Sequence, residues 1–353
     1  MSLTIDVERI LAVLTALLNT PSPVGYHGEV MALLRRELEA LGLPDLALHE
    51  TRKGALVATW PGAADGPARA LSGHVDTLGA MVREVKSNGR LMLTQLGGYA
   101  WNAVEGENVT VLPMGGGRRY RGTVQTVHPS VHTSPKAKEG ERDDEHIEVR
   151  LDARTAKKEE TLALGIDVGD YVSFDPRVEV TDTGFIKSRH LDDKAGVAVM
   201  IGALLALADA GLRPARRTVL FFSNYEEVGH GAAVGIPAEV EELLVIDMAA
   251  STTGEHQNSD EFSVGICAKD SSGPYDLALR QRLVGLCQAH DIPYRLDTYP
   301  SYGSDGSAFL RAGGDVRVGL IGPGVDASHG YERTHRDSLV ATTRLAAHYI
   351  LAE

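Results

Sequence analysis

The sequence predicts an α/β fold, a mixed sheet with helices on both faces, interrupted by an inserted β-rich domain. Three observations carry this. Strand-like apolar runs alternate with helical stretches at both ends of the chain, the pattern of a sheet covered by helices. The middle shows only short β-type runs broken by glycine, proline and charged turns. Polar, chemistry-bearing residues stand directly after several of the apolar runs.

The opening segment places Asp6 and Glu8 ahead of Ile10, Leu11, Leu14, Leu17 and Leu18. That spacing predicts an amphipathic helix rather than a signal peptide, ended by Pro21 and Pro23. Core strands are expected in ALVATW near 55, ARALSG near 68, RTVLFFS near 217, ELLVI near 242 and VRVGLIG near 316. Helices are expected in VMALLRRELEALG and in VAVMIGALLALADAG. The second is apolar almost all round and stops at Gly211, which predicts burial between the sheet and its neighbours. From about 83 to 184 the runs GENVTVLP, RYRGTVQTV, EHIEVRLDA and GDYVSFDP suggest strands, with a single helical stretch at 156–164. We therefore expect a discontinuous catalytic domain, 1–82 with 185–353, and an insert, 83–184. The charge run KAKEGERDDEH at 136–146 is expected to be a solvated loop.

The chain has 353 residues, 43% of them hydrophobic, and a formal net charge of -13. It is long enough for a large core and a second domain. The negative balance argues against nucleic acid or an anionic membrane surface as partner. Small molecules, peptides or further copies of the chain fit better. No apolar run reaches the ~20 residues needed to span a bilayer. Cys267 and Cys287 are the only cysteines and are expected as free thiols in a reducing cytoplasm.

His74 and Asp76, Glu226 and Glu227, Asp247, and His329 all follow predicted strands, and Asp192 opens the buried helix. In open α/β sheets the carboxyl ends of the strands form the ligand crevice, so these residues can converge. Two histidines with several carboxylates make a nitrogen and oxygen donor set suited to zinc or a similar divalent ion. The set is large enough for two ions about 3.5 to 4 Å apart, which would lower the pKa of a shared water. Plainer readings stand beside this one: Asp192 and Asp193 as helix caps, His74 and Asp76 as a chance pairing, Glu226 and Glu227 as a surface pair. Position favours chemistry, because a plain core would continue apolar there. His190, His230 and His335 are rival ligands.

The motifs GHVDTLGAMV, LDDKAGVAV, YEEVGHGA, VIDMA and GSDGSAFLRAG, in this order, resemble those of the M42 family of dinuclear metallo-aminopeptidases, the glutamyl and tetrahedral aminopeptidase group. The resemblance runs from NTPSPVGYHGEV to the last helix and implies a zinc-peptidase-like core with a small PDZ-like β insert used in dimer contacts. It implies that His74, Asp192 and Asp247 hold one metal and Asp192, Glu227 and His329 the other, with Asp192 bridging. Glu226 would be the general base and Asp76 would orient His74. His329 lies six residues beyond Pro323 and His335 twelve, so His329 suits the family's last ligand better. Lys194 replaces the usual arginine, and His230 stands where another residue is common; both departures bear on substrate preference.

The expectation is thus a cytoplasmic exopeptidase with two divalent ions per chain, zinc or else cobalt or manganese, that removes N-terminal residues from short peptides and forms a dimer or dodecamer. Two rivals remain: an amidohydrolase or deacylase acting on an N-acyl amino acid or a specialised dipeptide, and a non-catalytic metal-binding assembly protein. A sugar-binding role is disfavoured, since only 5% of residues are aromatic and two are tryptophan.

Overall fold

The computed structural model describes residues 3–251 and 256–353. The chain divides into two compact units, 1–76 with 177–353, and 77–176.

The larger unit begins with α1 (Val7–Leu18), capped by the Asp6 carboxylate, which accepts the Arg9 N–H at 2.9 Å. Its buried face is Ile10, Leu11, Val13, Leu14, Leu17 and Leu18, the stripe that the spacing predicts. Then come α2 (Gly28–Ala40), β1 (Ala47–Glu50), β2 (Leu56–Trp60) and β3 (Ala68–His74). Every residue of β3 is buried, as expected for a strand covered on both faces.

The smaller unit is a closed barrel. Its strands are β4 (Gly79–Val85), β5 (Leu91–Leu96), β6 (Asn108–Leu112), β7 (Tyr120–Thr126), β8 (Ile147–Leu151) and β9 (Tyr171–Phe174), joined in the order β4-β5-β8-β7-β6-β9. Ala80 and Val82, Leu91 and Leu93, and Val109 and Val111 point inward two residues apart, the period of a strand with one face in a core. Closure leaves no free edge. Two short helices, α3 (Lys136–Glu139) and α4 (Lys158–Leu162), lie in its connections. The charge run 136–146 thus opens with one helical turn rather than being all loop, and none of its residues is buried.

The boundaries differ from the expected 83 and 184. The strand starting at Gly79 pairs with β5 and β9 of the barrel. At the other end, β10 (Glu179–Val180) and β11 (Phe185–Ser188) pair with each other and extend the large sheet.

The large unit continues with α5 (Leu191–Asp209), β12 (Thr218–Ser223), β13 (Val240–Ile246), β14 (Ala249–Ser251), β15 (Val264–Asp270), β16 (Gly273–Pro274), α6 (Leu277–Ala289), β17 (Tyr294–Thr298), α7 (Asp305–Arg311), β18 (Arg317–Asp326), β19 (Glu332–His335) and α8 (Arg336–Leu351). The main path through the sheet is β1-β2-β12-β3-β13-β18-β19-β11-β10. Within it β12, β3, β13 and β18 are mutually parallel neighbours, so their carboxyl ends share one edge. The sheet is mixed, since β2 runs antiparallel to β12, and β15 and β19 run antiparallel to β18. Helix α5 is buried along almost its whole length, and Gly202 lets α1 approach it closely: a Cβ there would meet the Ile10 side chain at 2.7 Å. Gly211, at φ +65, ends the helix as expected. Cys267 and Cys287 are both buried free thiols. Among the described residues no helix is long and apolar enough to cross a membrane.

Candidate metal centre

Four parallel strands deliver the site. His74 is the last residue of β3, Glu226 and Glu227 occupy a 3-10 turn three residues beyond β12, Asp247 follows β13 directly, and His329 stands in the loop after β18. Asp192 enters from the first turn of α5, where its backbone (φ -74, ψ 106) is not yet helical.

Asp192 lies between the two histidines. His74 Nε2 is 3.1 Å from its Oδ1, and His329 Nε2 is 3.4 Å from its Oδ2. His329 Nε2 is also 3.6 Å from Glu227 Oε2, and His74 Nε2 is 3.8 Å from Glu226 Oε2. His74, Asp192 and Glu227 form one grouping able to hold a metal ion, and His74, Asp193 and Asp247 a second. The second uses Asp193 where Asp192 was expected. Asp193 already accepts the His74 N–H at 3.3 Å and the Gly196 N–H at 3.2 Å, so its carboxylate ties the end of β3 to the start of α5.

Asp76 is fully buried and serves two groups. The His74 ring meets it through the backbone carbonyl, with Nδ1 3.0 Å from Asp76 O, while the Asp76 carboxylate is 3.6 Å away. The carboxylate oxygens also each accept one N–H, from Glu226 and from Glu227, at 3.2 Å. One residue thus orients both the ring and the turn that carries the two glutamates.

The electrostatics call for a cation. Burial pushes the Glu226 and Glu227 carboxyls well above their ordinary range, and neighbouring carboxylates add to the rise. Burial and the Asp192 charge lift Asp247 to about 7. Asp192 resists the same burial because bonding to His329 and His74 holds its pKa down. His74, despite burial, is lifted well above its usual value by the Asp192 and Asp76 carboxylates. So many carboxylates in a water-poor site are unfavourable without countercharge. Glu227 Oε1 is buried with no hydrogen-bond partner. This donor set, two imidazoles and several carboxylate oxygens, fits divalent ions of the zinc type.

The site floors a cleft of about 590 Å³, walled by Met248, Tyr299, Pro300, Ser301 and Tyr302. A cleft of that size suits a small ligand or one end of a peptide. Two of the rival histidines, His335 and His230, are elsewhere. His335 packs its ring against Phe185 and Phe262 and meets Thr183 O at 3.0 Å. His230 stacks on Tyr225 with centroids 5.2 Å apart and lines a separate surface pocket with His27 and Lys53. His190 is in neither grouping and precedes α5 at φ 72.

Two buried acids escaped the sequence reading. Asp305 accepts the hydroxyls of Ser72 and Ser223 and the Ala232 N–H, bracing the ends of β3 and β12. Its motif, GSDGSAFLRAG, was visible, but nothing in it showed which strands the carboxylate would reach. Glu332 accepts the Asp192 N–H at 3.1 Å and the His329 N–H at 3.0 Å. Its spacing three residues after His329 was the available signal.

The family model for M42 glutamyl aminopeptidases matches residues 54–345. "Putative aminopeptidase YhfE" of Bacillus subtilis (strain 168) is 44% identical over 345 residues, covering 98% of each chain. Aminopeptidase APDkam598 from the archaeon Desulfurococcus kamchatkensis superposes with a TM-score of 0.88 at 22% identity, over 98% of this chain and 96% of its own. The Pyrococcus horikoshii TET1 peptidase, which can assemble into a tetrahedron or a large octahedral shell, gives 0.83 at 19% identity, over 98% of this chain and 100% of its own. On the extent of the family match and the identity to the Bacillus relative, the chain belongs to the M42 glutamyl aminopeptidase family.

Proposed function

We propose that the chain is a dinuclear metal-dependent aminopeptidase that releases N-terminal residues from short peptides. The observation that carries this reading is the placement of Asp192, one oxygen toward His74 and the other toward His329. A carboxylate with one oxygen near each of two imidazoles is the arrangement a shared ligand requires. In the proposed assignment His74, Asp192 and Asp247 hold one ion, and Asp192, Glu227 and His329 hold the other. Zinc is the proposed metal, with cobalt and manganese compatible with the same donors. When bound, the ions supply Lewis acidity toward a carbonyl oxygen and lower the pKa of water.

The chain's own residues supply the rest. Glu226 lines the cleft beside Glu227, and its burial raises its proton affinity, which suits a group that takes a proton from water and passes it to the leaving amine. Asp76 fixes the turn on which Glu226 stands. His74, held through Nδ1, presents Nε2 to the centre. No serine or cysteine nucleophile is needed.

Cytoplasmic residence and assembly into a homo-oligomer, a dimer or a larger shell built through the barrel unit, are part of the proposal. The resemblance in fold to the shell-forming Pyrococcus peptidase supports the assembly. Glu226→Gln tests the chemistry: turnover of aminoacyl-p-nitroanilides should fall by about 10²-fold to 10⁴-fold while metal content stays at the wild-type level. Unchanged turnover, or activity confined to N-acylated substrates, would remove the aminopeptidase reading.

A further inference from the structure

We propose that Glu332 is a positioning residue that builds one half of the metal centre, fixing the backbones of Asp192 and His329 to each other. The inference rests on the two-metal reading above and adds to it a residue that touches neither metal nor substrate.

The geometry is specific. Glu332 begins β19, opposite Ser188 of β11, and is 1% exposed. Its two carboxylate oxygens serve different partners: Oε2 accepts the Asp192 N–H at 3.1 Å and Oε1 accepts the His329 N–H at 3.0 Å. Both N–H groups belong to residues outside regular structure. The Asp192 backbone is not yet helical. His329 stands at φ +63 in a loop whose Ala327 is also left-handed, at φ +56. A left-handed non-glycine residue costs about 1 kcal/mol or more and persists only where its surroundings determine it. Here the surroundings include a buried carboxylate three residues along the chain.

The consequence is local. Asp192 Oδ2 and His329 Nε2 face each other at 3.4 Å, and Glu227 Oε2 lies 3.6 Å from the same nitrogen. That trio depends on the loop carrying His329 being held to the start of α5. The other half, His74 with Asp247, is delivered by β3 and β13, which pair directly. The two Glu332 oxygens serve Asp192 and His329 and belong to the other half. A buried carboxylate beside Asp192 adds like charge, which is unfavourable unless it is offset. Two charge-assisted bonds to N–H groups offset part of it, and a cation on Asp192 would offset more. Glu332→Gln is the informative change, because an amide of the same shape offers one carbonyl acceptor and turns an NH₂ toward the second N–H.

The test uses the full chain, stripped by chelator and titrated with Co²⁺, followed by calorimetry and visible absorption. Wild type should take up two equivalents in two resolvable phases. Glu332→Gln should weaken the phase that includes His329 about tenfold to 100-fold, the range for partners that orient a ligand, and the other phase by less, because Asp192 is shared by both ions while His329 serves one. His329→Ala should weaken the same phase, and adding Glu332→Gln to it should produce little further loss. Asp247→Ala should weaken the opposite phase, with effects that add to those of Glu332→Gln. A readout without metal accompanies this: in the stripped protein, amide exchange of the peptide spanning 327–333 should quicken in Glu332→Gln, with the midpoint of thermal unfolding close to wild type. Equal weakening of both phases, or two unchanged phases, would overturn the inference and leave the two-metal reading standing. Failure of wild type to bind Co²⁺ would overturn both. Should Glu332→Gln not fold, Glu332→Asp decides: it keeps both acceptors on a shorter arm and should retain both phases with one weakened, while wild-type affinity at both would refute the role.

Discussion

Replacing Asp76 with asparagine should disable the site without touching any proposed metal ligand. The Asp76 side chain is fully buried, and its two oxygens each hold one N–H of the Glu226–Glu227 turn at 3.2 Å. Asparagine keeps one acceptor and opposes the second N–H with an NH₂ group, so one charge-assisted bond is lost and one buried donor is left unmet. A hydrogen bond to a charged group contributes about 1.5 to 3 kcal/mol. If that loss is expressed as displacement of Glu226 in the transition state, kcat falls about 10-fold to 150-fold. The backbone carbonyl that receives His74 Nδ1 is unchanged by the substitution, so KM and metal content should stay within about threefold. Steady-state hydrolysis of an aminoacyl-p-nitroanilide at saturating metal, with metal content measured in parallel, reads all three quantities. A variant with kcat within twofold of wild type would refute the assignment of Asp76 to the glutamate turn. One that loses metal before it loses kcat would show that Asp76 acts through His74 instead.

Two further outcomes follow from the packing around the site. Gly322→Ala places a Cβ 1.5 Å from the Asp247 carbonyl oxygen, a backbone clash that no rotamer relieves; it should destabilise the fold by at least about 3 kcal/mol, read as a fall in the thermal midpoint or loss of folded protein, and a wild-type midpoint would contradict the strand register. His335→Ala should lower stability, through lost packing on Phe185 and Phe262, yet keep wild-type metal content, whereas His329→Ala should lose metal affinity with little change in stability; the reverse pattern would exchange their roles.

Much of the site was legible because strand ends are legible. In β3, β12 and β13 an apolar run stops and a histidine or carboxylate begins, and parallel pairing then brings those ends together whatever their separation in sequence. What could not be read was backbone accounting. Glu332 and Asp305 matter through N–H and hydroxyl groups they satisfy on distant elements, and nothing in a linear sequence shows which donors lack a partner. The same limit hides the second role of Asp76, whose carboxylate also accepts the two N–H groups of the glutamate turn. The insert boundaries slipped for another reason. Strand β4 and the short β10–β11 hairpin sit at the two boundaries, and nothing in their composition marks which sheet each will pair with. Helices α6 and α7 went unread because α6 buries only Leu279, Leu283 and Cys287, and α7 is short and buries small or polar residues, Asp305, Gly306, Ser307 and Ala308.

The measurement closest to the central claim is metal content per chain, by mass spectrometry on protein stripped with chelator and then reloaded, paired with release of free N-terminal residues from a peptide panel. The account predicts close to two divalent ions per chain and activity that disappears on chelation and returns on repletion. A protein that retains no metal after repletion, or that hydrolyses the panel equally well with and without chelator, would contradict it.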